Sequence, residues 1–421
     1  MLFSFLLPMI IVFGGVYLLI KLKFFLFLHP KRCLGAFFRE LSVPGSRRAL
    51  TLALAGTLGV GNIFGVAAGI MLGGAGSVFW LVLSSLFSMI IKYAETTISL
   101  DMKGYGSGGM QSILLKVFGK NGKFLASAYA VLCLLLSLFM GSAIQSAAVV
   151  DVAERVLKIS PAVSIPVLIF LLYFAVRRGA ERIERVTELV IPITMLIYVL
   201  MCLSVIFLRL DYLPGIVNMI ITEAISPLAV AGGGVGFLFS RAFYEGFARG
   251  ILSNEAGAGT SSMAHSRSDK RDAAVGGLFG ASEVFFDTVV LCPLTALTIL
   301  LAVNNPSSCP TPMSLVSSAF ISVLGDFSGI LLLFSVFAFA YSTIVCWYYY
   351  GSVCLEFLFG KGYNKIFFCL FSIFAILGAI MGDTYLLGVT DTVIFFMTLI
   401  TMALLVKSSG RVRELTLKLL E

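Results

Sequence analysis

The chain has 421 residues, 59% of them hydrophobic and only 12% charged, with a mean hydropathy of +1.02. Soluble domains carry about 25% charged residues, so this composition excludes a soluble enzyme as well as a disordered or fibrous chain. A formal charge of +8 then reads as membrane topology rather than affinity for nucleic acid, since Lys and Arg collect in cytoplasmic loops.

A bilayer core of ~30 Å takes about 20 apolar residues per helix. Eleven such runs follow one another, over 3–28, 50–72, 77–100, 124–152, 161–177, 187–209, 228–251, 273–303, 329–358, 363–382 and 385–407. A stretch near 312–325 is too short to span and is expected at the surface. If the 29–49, 101–123, 178–186, 252–272 and 359–362 connections and the tail share one side, that side holds 22 of the 30 Lys and Arg and the opposite side three. The positive-inside rule makes that side cytoplasmic, with the N-terminus outside and the C-terminus inside. No hydrophilic domain intervenes, so 1–421 is one membrane domain in the cell membrane. The eight cysteines, none at CxxC spacing, read as small apolar residues.

Setting aside the first span and its loop (1–49), ten spans divide into five and five: 50–209 and 228–407, followed by a tail at 408–421. The two halves open alike. The second span reads ALAGTLGVGNIFGVAAGI, with Gly56, Gly59, Gly61 and Asn62 at mid-depth, and the seventh reads PLAVAGGGVGFLFSRAF, with Gly232, Gly233, Gly234 and Gly236. Their odd positions within each half make them antiparallel. Paired glycine-interrupted helices are the mark of inverted-repeat transporters, whose broken helices offer N–H groups to carboxylates and C=O groups to cations. The expected fold is therefore an all-α polytopic membrane protein of about 11 spans, with two inverted five-helix repeats and broken helices 2 and 7.

Polar residues within these spans are the site candidates. Asn62 is an amide in apolar surroundings, serving either as glue between helices or as a ligand group. Gln145 sits among small residues of the fourth span. Ser342 and Thr343 are adjacent hydroxyls at mid-membrane; they either bond back to their own helix or present oxygens. Trp347 either belongs to the interfacial belt or lines a pocket. Glu283 and Asp287, at i and i+4, are intramembrane charges and functional by default. One of them is protonated and available for proton coupling, or they pair with Arg241 or Arg249. Glu95 is expected to pair with Lys92 near the inner interface, and 249–265 reads as a cytoplasmic loop packed beneath the site.

Several stretches then resemble the alanine or glycine:cation symporter family. They are GTLGVGNIFGVAAGIMLGGAGSVFW (56–80), KYAET (92–96), ARGILSNEAGAGTSSMAHS (248–266), EVFFDTVVLCPLTAL (283–297) and AFAYSTIVCWYYYG (338–351). The blocks stand in family order and cover about a third of the chain. The chain departs from the pattern at TISLDMKG after KYAET, at GGMQSI (108–113), at GSAIQSA, where Ser142 replaces an Asn and Gln145 is kept, and in a final helix without Pro-Asn.

The resemblance implies a leucine-transporter-type fold and sodium-coupled symport of a small neutral amino acid, alanine or glycine. The substrate would then lie against Gly59, Gly61, Asn62, Gln145, Gly234 and Trp347. Sodium would take carbonyls near Thr57 and Val60 and the hydroxyls of Ser342 and Thr343, an oxygen-only shell that suits a hard cation. No other cofactor and no nucleic acid is expected; the partners are the amino acid, sodium and membrane lipid. The competing readings are a proton-coupled carrier of another small amino acid, with Glu283 or Asp287 as proton carrier, and an amino-acid sensor on a transporter fold. An intramembrane protease is excluded because His29 and His265 fall in expected loops and Asp326 and Asp383 follow Gly singly.

Overall fold

A computed structural model describes residues 2–42, 54, 56–102, 109–177, 180–225, 240–265, 272–381 and 383–420. Every regular element among them is helical. In chain order these are α1 (Leu2–Lys21), α2 (Phe25–Leu28), α3 (Pro30–Leu41), α4 (Val66–Gly73), α5 (Gly76–Asp101), α6 (Met110–Phe118), α7 (Gly122–Leu136), α8 (Gln145–Leu157), α9 (Pro161–Arg177) and α10 (Ala180–Leu208). There follow α11 (Leu213–Ala224), α12 (Arg241–Asn254), α13 (Ser261–His265), α14 (Ala273–Val284), α15 (Cys292–Ala302), α16 (Pro312–Leu324), α17 (Asp326–Phe359), α18 (Asn364–Gly378) and α19 (Asp383–Leu420). Six stretches, Gly76–Asp101, Met110–Leu157, Val190–Leu208, Ala273–Ala302, Asp326–Phe359 and Tyr385–Leu420, are long and apolar enough to cross a bilayer, and shorter apolar helices accompany them. The chain is a multi-pass membrane protein.

Glycine sets several boundaries. Helix α17 runs 34 residues between Gly325 (φ 80°) and Gly360 (φ 83°), both in the left-handed region that stops a helix. At 1.5 Å per residue it is about 50 Å long, more than the ~30 Å hydrocarbon core. Helix α5 is the hub, packed on both α12 and α14, while α19 lies along α1 and α17 along α8 and α10.

The short helix α16 differs from expectation. It is too short to span, but it is not a surface helix. Thr311 and Ser314 form a capping box at its start, and Leu315, Val316, Ala319 and Phe320 are fully buried against α15, α17 and α8.

Three helices contain π-helical segments, at Gly61–Gly65, Ser137–Ile144 and Phe285–Leu291. Such insertions cost hydrogen-bond quality and occur mostly where function requires them. These three carry or adjoin Asn62, Gln145 and Asp287.

Candidate functional site

The second span is broken where the glycines predict. Helical bonding ends with Leu58 N–H to Leu54 C=O (2.6 Å), the chain turns through Leu58–Val60 with Gly59 N–H on Thr57 C=O (2.9 Å), and the π segment resumes at Gly61. Gln145 reaches into this gap, its Oε1 accepting the Val60 N–H at 3.3 Å. A buried N–H released by the break thereby keeps a partner.

An interruption that the sequence reading did not anticipate lies at 255–260, and the expected one is outside the described residues. Gly232, Gly233, Gly234 and Gly236 fall outside the described residues. After α12 the chain unwinds over Glu255–Thr260 before α13 begins. Glu255 (φ 54°), Gly257 (φ 82°) and Gly259 (φ 80°) are left-handed there. A side chain on Gly259 would also strike the Tyr129 hydroxyl, 2.8 Å from its Cβ position. The stretch read as a loop is buried and interrupts two successive helices: Ala256, Ala258, Thr260 and Ser261 are all 2% exposed or less. A gap of six residues, shorter than any span, is invisible to a hydropathy window.

The two broken helices lie side by side and antiparallel. A Cβ on Gly61 would meet Cα of Ser253 at 3.1 Å, on Gly69 the Arg249 side chain at 3.1 Å, and on Gly73 the Glu245 Cβ at 2.9 Å. Gly61 is not among the left-handed glycines. It is required for close approach, and the added methyl points at Ser253 rather than into space a substrate could fill.

One neighbour, α5, holds both ends of the second break. Lys92 Nζ donates to the C=O of Asn254, the last residue of α12 (3.2 Å). Glu95, three residues on, accepts N–H groups from Gly257 (3.3 Å) and from Ser261, the first residue of α13 (3.0 Å). A cation at a helix C-terminus and an anion at an N-terminus both oppose the helix dipole. The expected pairing of Lys92 with Glu95 is replaced by these two contacts. Trp347 is no interfacial residue: it is fully buried and donates its indole N–H to Glu255 Oε1 (3.0 Å), while Thr260 Oγ1 donates to the other oxygen (2.9 Å).

Of the proposed sodium ligands, Thr343 touches the first break: a Cβ on Gly59 would lie 2.6 Å from its Oγ1. Ser342 donates to its own helix at Phe339 C=O (2.9 Å), which leaves the lone pairs of its hydroxyl as the available feature. The Thr57 carbonyl accepts one N–H, and the Val60 carbonyl accepts those of Ile63 and Phe64. Thr57 and Val60 are buried. Asn62 is fully buried, and neither Nδ2 nor Oδ1 has a hydrogen-bond partner among the described residues. An unpaired buried amide costs about 1–3 kcal/mol. Ser142, at the departed motif position, donates to Phe371 C=O (2.7 Å) and so ties its π segment to α18.

Glu283 lies in the last turn of α14 and Asp287 in the π segment that follows it. Glu283 accepts from or donates to His265 Nε2 (2.8 Å) and lies 4.0 Å from Lys92; His265 is a buried helical residue, not part of a loop. Asp287 accepts from Ser253 Oγ (2.6 Å) and Thr288 Oγ1 (2.8 Å). Neither pairs with Arg241 or Arg249. Arg249 instead bonds Asp391 of α19, with Glu245 at 3.3 Å, and Tyr244 also donates to Asp391 (3.0 Å). Asp391 gave no signal in the sequence because its partner is 142 residues away.

From outside the helix bundle, a cleft of about 410 Å3 between α8, the start of α16 and the end of α18 reaches Phe64, two residues from Asn62, past the carboxylates of Asp151 and Glu154.

A family profile described as "Sodium:alanine symporter family" matches residues 1–418. The chain belongs to the sodium:alanine symporter family. Relatives in that family include an uncharacterized transporter YflA of Bacillus subtilis, 30% identical over 97% of this chain and 89% of its own length. The sodium/alanine symporter AgcS of Methanococcus maripaludis is 28% identical over 82% and 77%. Among solved structures, MhsT in complex with L-phenylalanine superposes with a TM-score of 0.63 at 14% identity, covering 89% of this chain and 97% of that one, which shows a shared fold. The protein is a transporter, not an enzyme.

Proposed function

We propose that the protein is a sodium-coupled symporter of a small neutral amino acid, alanine or glycine, working by alternating access in the cell membrane. The reading carries its N-terminus outside, its C-terminus inside and two inverted repeats, 50–209 and 228–407, within one domain. The observation that carries it is Asn62, a fully buried amide with no hydrogen-bond partner among the described residues, next to a helix break that also meets Gln145 and Thr343. A zwitterion needs N–H groups for its carboxylate and oxygens for its ammonium, and the interrupted backbone supplies both. The substrate lies against Gly59, Gly61, Asn62 and Gln145, with Gly234 and Trp347 completing the surroundings. Sodium sits between Gly59 and α17, held by carbonyls near Thr57 and Val60 and by Ser342 and Thr343. The likeness to the sodium/alanine symporter AgcS supports the choice of ion and substrate.

The test is uptake of radiolabelled alanine and glycine into proteoliposomes with an imposed sodium gradient, proton gradient or neither. Uptake driven by inward sodium and persisting after collapse of the proton gradient is expected. Uptake driven by protons and indifferent to sodium refutes the coupling and moves it to Glu283 or Asp287.

A further inference from the structure

Helix α3 presents three different faces over its 12 residues. Cys33 and Phe37, four apart, turn toward the protein: Cys33 is buried, and the Phe37 ring lies 5.1 Å from that of Phe279 in α14. Leu34 and Phe38, one step round the helix, are 54% and 62% exposed. Lys31, Arg32 and Arg39 are exposed as well. At about 100° per residue, the apolar pair stands between the protein-facing pair and the three cations.

The depth of α3 follows from its neighbour. Phe279 comes six residues after Ala273, where a membrane-spanning stretch begins, or about 9 Å along that helix. A helix packed against the first turns of a span lies at headgroup depth, where an amphipathic helix buries its apolar strip about 5–10 Å into the boundary with the acyl chains. Arg32 also donates to the C=O of Leu420, which ties α3 to the end of α19. The charge here is one-sided. From 21 to 41 the chain carries Lys21, Lys23, Lys31, Arg32 and Arg39 against the single acid Glu40.

We propose that α3 is an interfacial helix that binds an anionic phospholipid, with Lys31 and Arg39 at the phosphate and Leu34 and Phe38 against the acyl chains. A ligand anionic at one end and apolar at the other fits both exposed faces at once. A soluble phosphate would leave Phe38 in water. The proposed orientation puts this end of the bundle in the cytoplasm; the choice of the inner leaflet rests on it, and the binding itself does not.

The experiment titrates purified full-length protein in detergent with dioleoylphosphatidylglycerol or dioleoylphosphatidylcholine and counts bound lipid by native mass spectrometry. One cation near an anionic surface is worth about fivefold in affinity. Lys31→Gln, Arg39→Gln should therefore weaken phosphatidylglycerol binding roughly tenfold or more and leave phosphatidylcholine within about twofold, while Lys31→Arg, Arg39→Lys keeps both. Arg32 is left in place because it holds Leu420. As a control, Lys120→Gln, Lys123→Gln removes the same charge from another exposed basic stretch and should change binding less than about twofold. Equal losses in the two neutralised variants, or a loss below about threefold in the first, overturn the site on α3. Displacement of bound phosphatidylglycerol by an equal concentration of glycerol 3-phosphate overturns the lipid assignment, because the acyl chains would then contribute nothing. Where the first variant does not assemble, Lys31→Gln and Arg39→Gln singly carry the expectation at roughly threefold to fivefold each, and a change below about twofold in both refutes it. Lipid binding is read without transport, so uptake that ignores sodium refutes sodium symport and leaves this result to stand or fall by itself.

Discussion

Gly59→Ala separates packing from ion binding. The new methyl would stand 2.6 Å from Thr343 Oγ1, 3.2 Å from its Cγ2 and 3.3 Å from its Cβ, so Thr343 must turn or α17 must shift. Overpacking of this kind costs about 1–3 kcal/mol. Thr343→Ala removes the two atoms that clash, so Gly59→Ala, Thr343→Ala should recover the stability of Thr343→Ala alone, a coupling of about 1–3 kcal/mol in a double-mutant cycle. Sodium dependence should not recover, because the oxygen is gone in the double variant. A ligand worth about 1.4 kcal/mol corresponds to tenfold in half-saturating sodium. Thermal melting in detergent reports the first quantity, and a sodium titration of alanine uptake per folded molecule the second. If the double variant regains both stability and wild-type sodium dependence, Thr343 only fills space and the ion lies elsewhere.

Glu95→Gln keeps one acceptor but sets an NH2 against a backbone N–H of the 257–261 segment; it should lower stability by about 1–3 kcal/mol, seen as a reduced melting temperature with loss of uptake. Gly61→Ala should reduce alanine and glycine uptake together, since its methyl meets Ser253; a loss confined to alanine would place the methyl in the substrate pocket instead. Trp347→Phe leaves one oxygen of Glu255 without its indole donor, costing about 1–3 kcal/mol, and should slow uptake while surface expression is unchanged. Normal uptake in that variant would make the indole contact incidental.

The fold and the first break were legible because they depend on local rules: span length from apolar runs, and a helix interrupted where Gly59 and Gly61 flank a polar Asn62. The interruption at 255–260 was not legible, for a physical reason. Three consecutive glycines at 232–234 are a louder local signal than EAGAGT at 255–260, yet the latter is stabilised by distant groups, Lys92, Glu95, Tyr129 and Trp347, whose proximity no window of sequence contains. For the same reason Glu95 and Lys92 looked like an ordinary pair along one helix, and Trp347 kept two readings open. The π segments are also silent in sequence.

Gly61, Gly65, Gly69 and Gly73 recur every fourth residue and form the ridge on which α12 rests. At each of the four a Cβ would meet α12 within 3.7 Å, three times at 3.1 Å or less. A library of all substitutions would therefore show a stripe of intolerant positions along the second span, of which only the innermost adjoins the transport site. Ranked by tolerance alone, the outer three would pass for substrate contacts. They instead weld the 61–73 half of the second span to α12 as one rod, so any rocking must carry the two together.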